Sequence, residues 1–184
     1  MPFKNVTGHL KTVRKHRREV RKLCFKCGLY KQGLLHDLSK YSPSEFLSSV
    51  KYWTGNRSPI DNQIDDIGFS EAWLHHKGRN KHHYEYWIDQ SHGDPEILCD
   101  IPFKYVAEMF CDRVAATKTY LKEKYTESSP LDYALKKQEK EKQLMNENTY
   151  SEIMGLLKNL SENGEKDTVK KIKERLKESK NYAC

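Results

Sequence analysis

Between residues 7 and 27 the inward-tending positions His9, Val13, His16, Val20, Leu23 and Cys27 recur every three or four residues, separated by lysines and arginines. That spacing lines one face of an α-helix. Thr7 is the predicted N-cap and Gly28 the stop signal. A shorter helix is expected from Leu29 to Leu38. A third starts with Ser42 as cap and Pro43 at its first position, and runs to about Trp53. The stretch from Gly55 to Gly68 is rich in Gly, Asn, Pro and Asp and reads as an irregular loop. Helical periodicity resumes from Phe69 to His76. A break around Gly78-Arg79-Asn80 precedes the segment His82 to Trp87, and Pro102 opens a long helix to about Leu121.

Beyond Thr126 the character changes. From Leu131 onward Lys and Glu dominate, and apolar residues such as Leu135, Ile153, Leu157, Leu160, Ile172 and Leu176 are sparse. Thr149 and Glu152 have the spacing of a capping box, and Asn163-Gly164 suggests a turn between two final helices. No β pattern and no internal repeat is evident. The expected architecture is all-α: a compact helical bundle over residues 1–126, carrying the chemistry, and a charged C-terminal helical extension over 127–184. Packing on the bundle, covering its site and forming a homodimer are three open roles for that extension.

Composition narrows the function classes. Hydrophobic residues make up 36% of the chain and charged ones 32%, so the surface is heavily solvated. No apolar run is long enough to span a bilayer, and the basic N-terminus lacks the apolar stretch of a secretory signal. A cytoplasmic protein without membrane partners is expected. The formal charge of +7 favours anionic partners: nucleotides, other phosphates or nucleic acid. The five cysteines read as free thiols. Cys24 and Cys27 form a Cys-x-x-Cys without a second pair for zinc, so they are expected to be buried thiols on a helix face.

The candidate chemistry lies in the histidines. Of eight, two fall on the first predicted helix, one heads His36-Asp37, and His75, His76, His82 and His83 crowd a nine-residue segment. Taken singly, each is more often a surface or core residue than a ligand; the clustering shifts the balance. Imidazole and carboxylate together suit first-row divalent ions. Asp37 follows Leu34-Leu35, and Asp112 sits mid-helix between Phe110 and Val114. An ionised carboxylate in apolar surroundings needs a cation or a donor.

Leu34-Leu35-His36-Asp37-Leu38-Ser39-Lys40 resembles the His-Asp element of the HD-domain superfamily of metal-dependent phosphohydrolases. Cys111-Asp112-Arg113-Val114-Ala115-Ala116 resembles the helix that carries that family's last metal-binding aspartate. The stretches HDLSKYSPSEF and AWLHHKGRNKHHYEYW are also similar to an uncharacterised group of bacterial and phage proteins with a domain of unknown function. The superfamily resemblance covers about Thr7 to Leu121. It implies an all-helical HD-like fold, one or two divalent ions (Mn, Fe, Co, Ni, Zn or Mg) and phosphohydrolase chemistry on a nucleotide or other small phosphate. An upstream histidine, His36, Asp37 and Asp112 would hold the first ion. His75, His76, His82 and His83 would hold a second or act as general acid or base, with His76 the inward member of its pair because it shares a face with Phe69, Ala72 and Trp73.

Geometry ranks the upstream histidine. If the first two helices form a hairpin around Gly28, ligands must lie at similar distances from the turn. At ~1.5 Å per residue, His16 misses the level of His36 by roughly 6 Å and His9 by roughly 16 Å. His16 is the preferred ligand; His9 is the alternative, because its spacing to His36 is nearer that of many family members. Lys40, Arg79 and Lys81 are candidates for neutralising phosphate charge, with ordinary solvated surface an equal reading for the last two. Two other functions stand beside the hydrolase. One is an HD-like di-iron oxygenase. The other is a non-catalytic helical module that binds protein or, through its Lys-rich C-terminal helices, nucleic acid.

Overall fold

The computed structural model describes residues 2–90, 92 and 96–181, so the last three residues of the expected extension lie outside it. Helix accounts for about three quarters of the described residues, and the fold is all-α. α1 (Phe3–Cys27) ends at Gly28, which takes a left-handed φ of 83°. The Leu29 N–H then closes back on the Cys24 carbonyl at 2.8 Å, the bond that terminates many helices at glycine. The reversal sends α2 (Tyr30–Leu35) back along α1, giving the expected hairpin.

α3 (Pro43–Lys51) begins as its sequence predicts, with Ser42 Oγ accepting from the Glu45 N–H. α4 (Pro59–Ile67) occupies the stretch expected to be a loop. Pro59 at its first turn fits a helix start, and its polar composition masks an Ile60, Ile64, Ile67 recurrence. α5 (Glu71–Lys77) is capped by Ser70 and ends before the predicted break. A 3₁₀ turn (Tyr84–Trp87) then leads into two two-residue strands, β1 (Ile88–Asp89) and β2 (Ile97–Leu98), paired antiparallel. α6 (Phe103–Leu121) starts directly after Pro102.

α7 (Ser129–Leu135), α8 (Gln138–Leu144) and α9 (Glu147–Asn181) complete the chain. α9 is broken at Gly164 (φ 83°, ψ 172°), where the sequence suggests a turn. Two expected caps move. α1 starts at Phe3, so Thr7 lies inside it and bonds the Phe3 and Lys4 carbonyls. At α9 the Asn146 side chain accepts from the Asn148 N–H, while buried Thr149 donates to Asp100 and accepts from the Ile101 N–H.

One hydrophobic core joins these pieces. Val20, Leu23, Cys24 and Cys27 of α1 meet Val106, Phe110 and Val114 of α6, and Ile153, Leu157, Leu160 and Ile172 of α9. Burying each large side chain contributes about 1.5–3 kcal/mol, so the C-terminal helices are built into the bundle. Glu165 adds a polar tie, with Lys26 of α1 at 2.6 Å and Lys118 of α6 at 2.7 Å. Cys24, Cys27 and Cys111 are buried free thiols, in keeping with the sequence. No helix among the described residues is long and apolar enough to cross a membrane.

Candidate metal centre

Five separate segments deliver polar side chains to one place between α1, α3, α5 and α6. His16 comes from the buried face of α1, one turn before Val20. His36 terminates α2, and its backbone is held from outside: Arg17 Nε donates to the His36 carbonyl at 2.7 Å and Arg17 Nη2 to the Leu34 carbonyl at 3.1 Å. Asp37 follows with a left-handed φ of 53°. A non-glycine residue in that region costs about 1–2 kcal/mol, tolerated most readily by Asp and Asn, and here it accompanies a fully buried carboxylate. Asp112 projects from α6, His76 from α5, and His82 and His83 from the turn that follows.

The two oxygens of Asp37 face two different groups of nitrogens. Oδ2 lies 3.5 Å from His16 Nε2 and 3.4 Å from His36 Nε2. Asp112 Oδ1 closes that set, 2.9 Å from His16 Nε2 and 3.4 Å from His36 Nε2. Oδ1 of Asp37 lies 3.3 Å from His76 Nε2 and 3.4 Å from His82 Nε2, and His83 completes the second set. In each set of four, the donor atoms lie within 4.8 Å of one another. Donors bound at about 2.0–2.2 Å to one ion sit roughly 3.0–3.5 Å apart at tetrahedral or octahedral angles. The spacings therefore fit two ion positions that share the Asp37 carboxylate.

A second layer of carboxylates fixes the rings. His76 Nδ1 donates to Glu45 Oε2 at 2.8 Å; His36 Nδ1 and His82 Nδ1 lie 2.9 and 3.2 Å from Glu108 Oε1. With the proton on Nδ1 and a metal in place of the second proton, each Nε2 would offer its lone pair on the side of Asp37, the tautomer a metal requires. Lone pairs facing a carboxylate repel unless a cation or proton lies between them. In agreement, Nε2 of His16, His36, His82 and His83 and both oxygens of Asp37 are buried without an aligned hydrogen-bond partner among the described residues. Buried polar groups left unpaired typically cost about 1–3 kcal/mol each, and here they converge on two points.

The electrostatics follow from the same packing. Burial opposes ionisation of Asp37, but His36, Lys40 and His76 outweigh it and hold the carboxyl well below its usual range. Asp112 behaves likewise, with His16 and His36 overcoming its burial. His36 is pushed upward by Asp37, Asp112 and Glu108 against the effect of burial, whereas burial and the neighbouring His82 and His76 push His83 well down. Burial also opposes charge on Lys40, yet Asp37 and Asp112 keep the ammonium protonated, with Nζ 2.7 Å from Asp37 Oδ2. Asp112 and Lys40 keep 17% and 26% of their side chains exposed, so they lie toward the mouth of the site.

The structure thus brings together His16, His36, Asp37, Asp112, His76, His82, His83 and Lys40. The other candidates stand apart. His9 is buried seven residues earlier on α1, its ring 5.2 Å from that of Phe46. His75 turns to the outer oxygen of Glu45, with Nδ1 at 2.6 Å. Arg79 is exposed, and Lys81 lies over the rings of Tyr86 and Tyr105. Sequence reasoning missed Glu45 and Glu108. Glu108 precedes Asp112 by four residues and so shares its helical face, a legible signal; Glu45 is disguised as the third residue of the Ser42 cap.

Residues 5–159 match the model of a family of unknown function, DUF5662. No curated protein and no solved structure matches the chain.

Proposed function

The chain belongs to the DUF5662 family, and we propose that it is a divalent-metal-dependent phosphohydrolase with two ions bridged by Asp37. One observation carries the reading: a single buried carboxylate whose two oxygens face separate sets of imidazole nitrogens, with those of His16 and His36 in one set and His82 and His83 in the other lacking a hydrogen-bond partner. His16, His36, Asp37 and Asp112 would hold one ion; Asp37, His76, His82 and His83 the other. Such ions lower the pKa of bound water and polarise a phosphoryl oxygen. The substrate class is a nucleotide or other small phosphate, in keeping with the resemblance to HD-domain enzymes and with the charge of +7.

The remaining residues have definable tasks. Glu45 and Glu108 hold protons on the outer nitrogens and so keep Nε2 free. Lys40 presents a retained ammonium at the mouth, where it would meet a phosphate oxygen. Arg17 locks the carbonyls on either side of Leu35, which fixes the turn that places His36 and Asp37.

The test is elemental analysis of the untagged protein, followed by a phosphate-release screen over nucleotides and simple phosphate esters with each loaded ion. Up to two ions per chain, lost in Asp37→Ala, together with chelator-sensitive phosphate release is the expected result. Absence of bound metal after incubation with each ion would defeat the assignment. A loaded protein that releases no phosphate but consumes oxygen with iron bound would transfer the site to oxidative chemistry.

A further inference from the structure

The face of α1 opposite His16 carries a feature that the metal centre does not use. Lys11, Arg14, Lys15, Arg18, Lys22 and Phe25 recur at three- and four-residue spacing, so they form a stripe behind the buried Val13, His16, Val20 face. With Arg17, Arg21 and Tyr41 they line a groove of about 640 Å³. Its seven cations are set against Glu19 alone, so this one surface accounts for nearly all of the chain's charge of +7. Glu19 lies 3.0 Å from Lys22 and 3.7 Å from Arg18. Lys11, Arg14, Lys15 and Arg21 have no carboxylate partner among the described residues, and Arg17 spends its bonds on neutral carbonyls. Concentrating that many like charges along three turns is unfavourable without a polyanion to meet them.

We propose that this groove binds a single strand of nucleic acid, with phosphates along the α1 cations and bases against Phe25 and Tyr41. Lys11 to Lys22 spans about 16 Å of helix, the reach of a few nucleotides. Arg17 is committed to backbone carbonyls, but Arg14, Arg18 and Arg21 present planar forks that match phosphate oxygens in pairs. Phe25 and Tyr41 are 37% and 38% exposed; Tyr30 meets Phe25 edge-on and Arg17 covers one face of Tyr41, which leaves each ring an open face for the sequence-tolerant stacking that single strands use. Tyr41 adjoins Lys40, so the groove ends beside the mouth of the metal centre. Binding here depends only on charge and stacking and stands whether or not the centre hydrolyses phosphate.

The experiment is fluorescence anisotropy of a labelled 12-residue oligothymidylate titrated with the full chain, without added metal. Saturable binding is expected, weakening about 50-fold between 50 and 200 mM salt if four phosphates are contacted at a slope of about −0.7 each. Arg14→Glu with Arg18→Glu should weaken it at least 10-fold. Lys170→Glu with Lys173→Glu, the same charge change on the exposed side of α9, should leave it within 2-fold. Phe25→Ala should lose about 5-fold or more, as expected for removal of one stacked base. Circular dichroism of every variant should match the parent. No binding at 50 mM salt overturns the proposal, as does equal loss in the two double variants. Tighter, α1-dependent binding to phosphatidylserine vesicles than to the oligonucleotide overturns it too, in favour of a membrane-facing surface.

Discussion

Glu108 Oε1 stands 2.9 Å from His36 Nδ1, deep in the bundle. The same oxygen lies 3.2 Å from His82 Nδ1, and so one carboxylate orients a ring in each of the two donor sets. Removing a group of this kind usually lowers metal affinity 10- to 100-fold. Glu108→Ala should therefore weaken both ions, and Glu108→Gln should do so less, because the amide oxygen still accepts. Glu45 contacts only the second set, through His76. Glu45→Ala should release one ion and retain the other. Competition titrations against a chromophoric chelator resolve the two steps; equal loss of both ions in Glu45→Ala would show that the sets are not separable in this way.

Metal and fold should be linked through Asp37. An ion at 100 times its dissociation constant stabilises the state that binds it by about 2.7 kcal/mol. Chelation should lower the melting temperature of the parent by several degrees, and restoring manganese or zinc should raise it again. Asp37→Ala removes the shared ligand together with a buried, left-handed carboxylate and its ion pair with Lys40. Its melting temperature should not respond to metal at all. A metal-dependent shift that survives in this variant would move the ions elsewhere.

How much of this was legible depends on range along the chain. The hairpin around Gly28, the Ser42-Pro43 helix start, the helix after Pro102 and the inward face of His16 and His76 are local patterns, and they hold. Helix α4 was hidden because Asp and Asn serve loops and helix surfaces alike, and three isoleucines in nine residues are a thin stripe. The division of labour within His75-His76 and His82-His83 required tertiary information. His76 faces Asp37 because Glu45, thirty-one residues earlier, grips its other nitrogen. The position of Asp37 between the two sets of imidazoles likewise depends on its φ of 53°, which no residue pattern announces.

The two upstream histidines offer a sharp contrast. His16 Nε2 lies 2.9 Å from Asp112 and 3.5 Å from Asp37, whereas His9 packs on Phe46. His16→Ala should cost the first ion, seen as a drop in stoichiometry by elemental analysis. His9→Ala should keep full occupancy and lose only the packing of a buried ring, on the order of 1–3 kcal/mol. If His9→Ala is instead the variant that loses metal, the hairpin geometry has been misassigned.

His9 also carries a pH signature of its own. Burial, helped by the positive charge of Lys40, lowers its pKa from 6.5 to about 4, so the folded protein keeps this ring neutral under conditions where the unfolded chain protonates it. Between those two values the unfolded state binds more protons, and stability must fall as the solution is acidified. The loss begins near pH 6.5, is complete near pH 4, and amounts to roughly 1–3 kcal/mol after allowance for screening. His9→Phe removes the titrating group while keeping an apolar ring against Phe46. Urea unfolding of the metal-free proteins at pH 7.5 and pH 5 isolates the effect, because the other histidines are common to both. The parent should lose more stability between the two pH values than His9→Phe does. An identical pH dependence in the two proteins would mean that His9 titrates alike in the folded and unfolded states, and that its ring is not shielded from water.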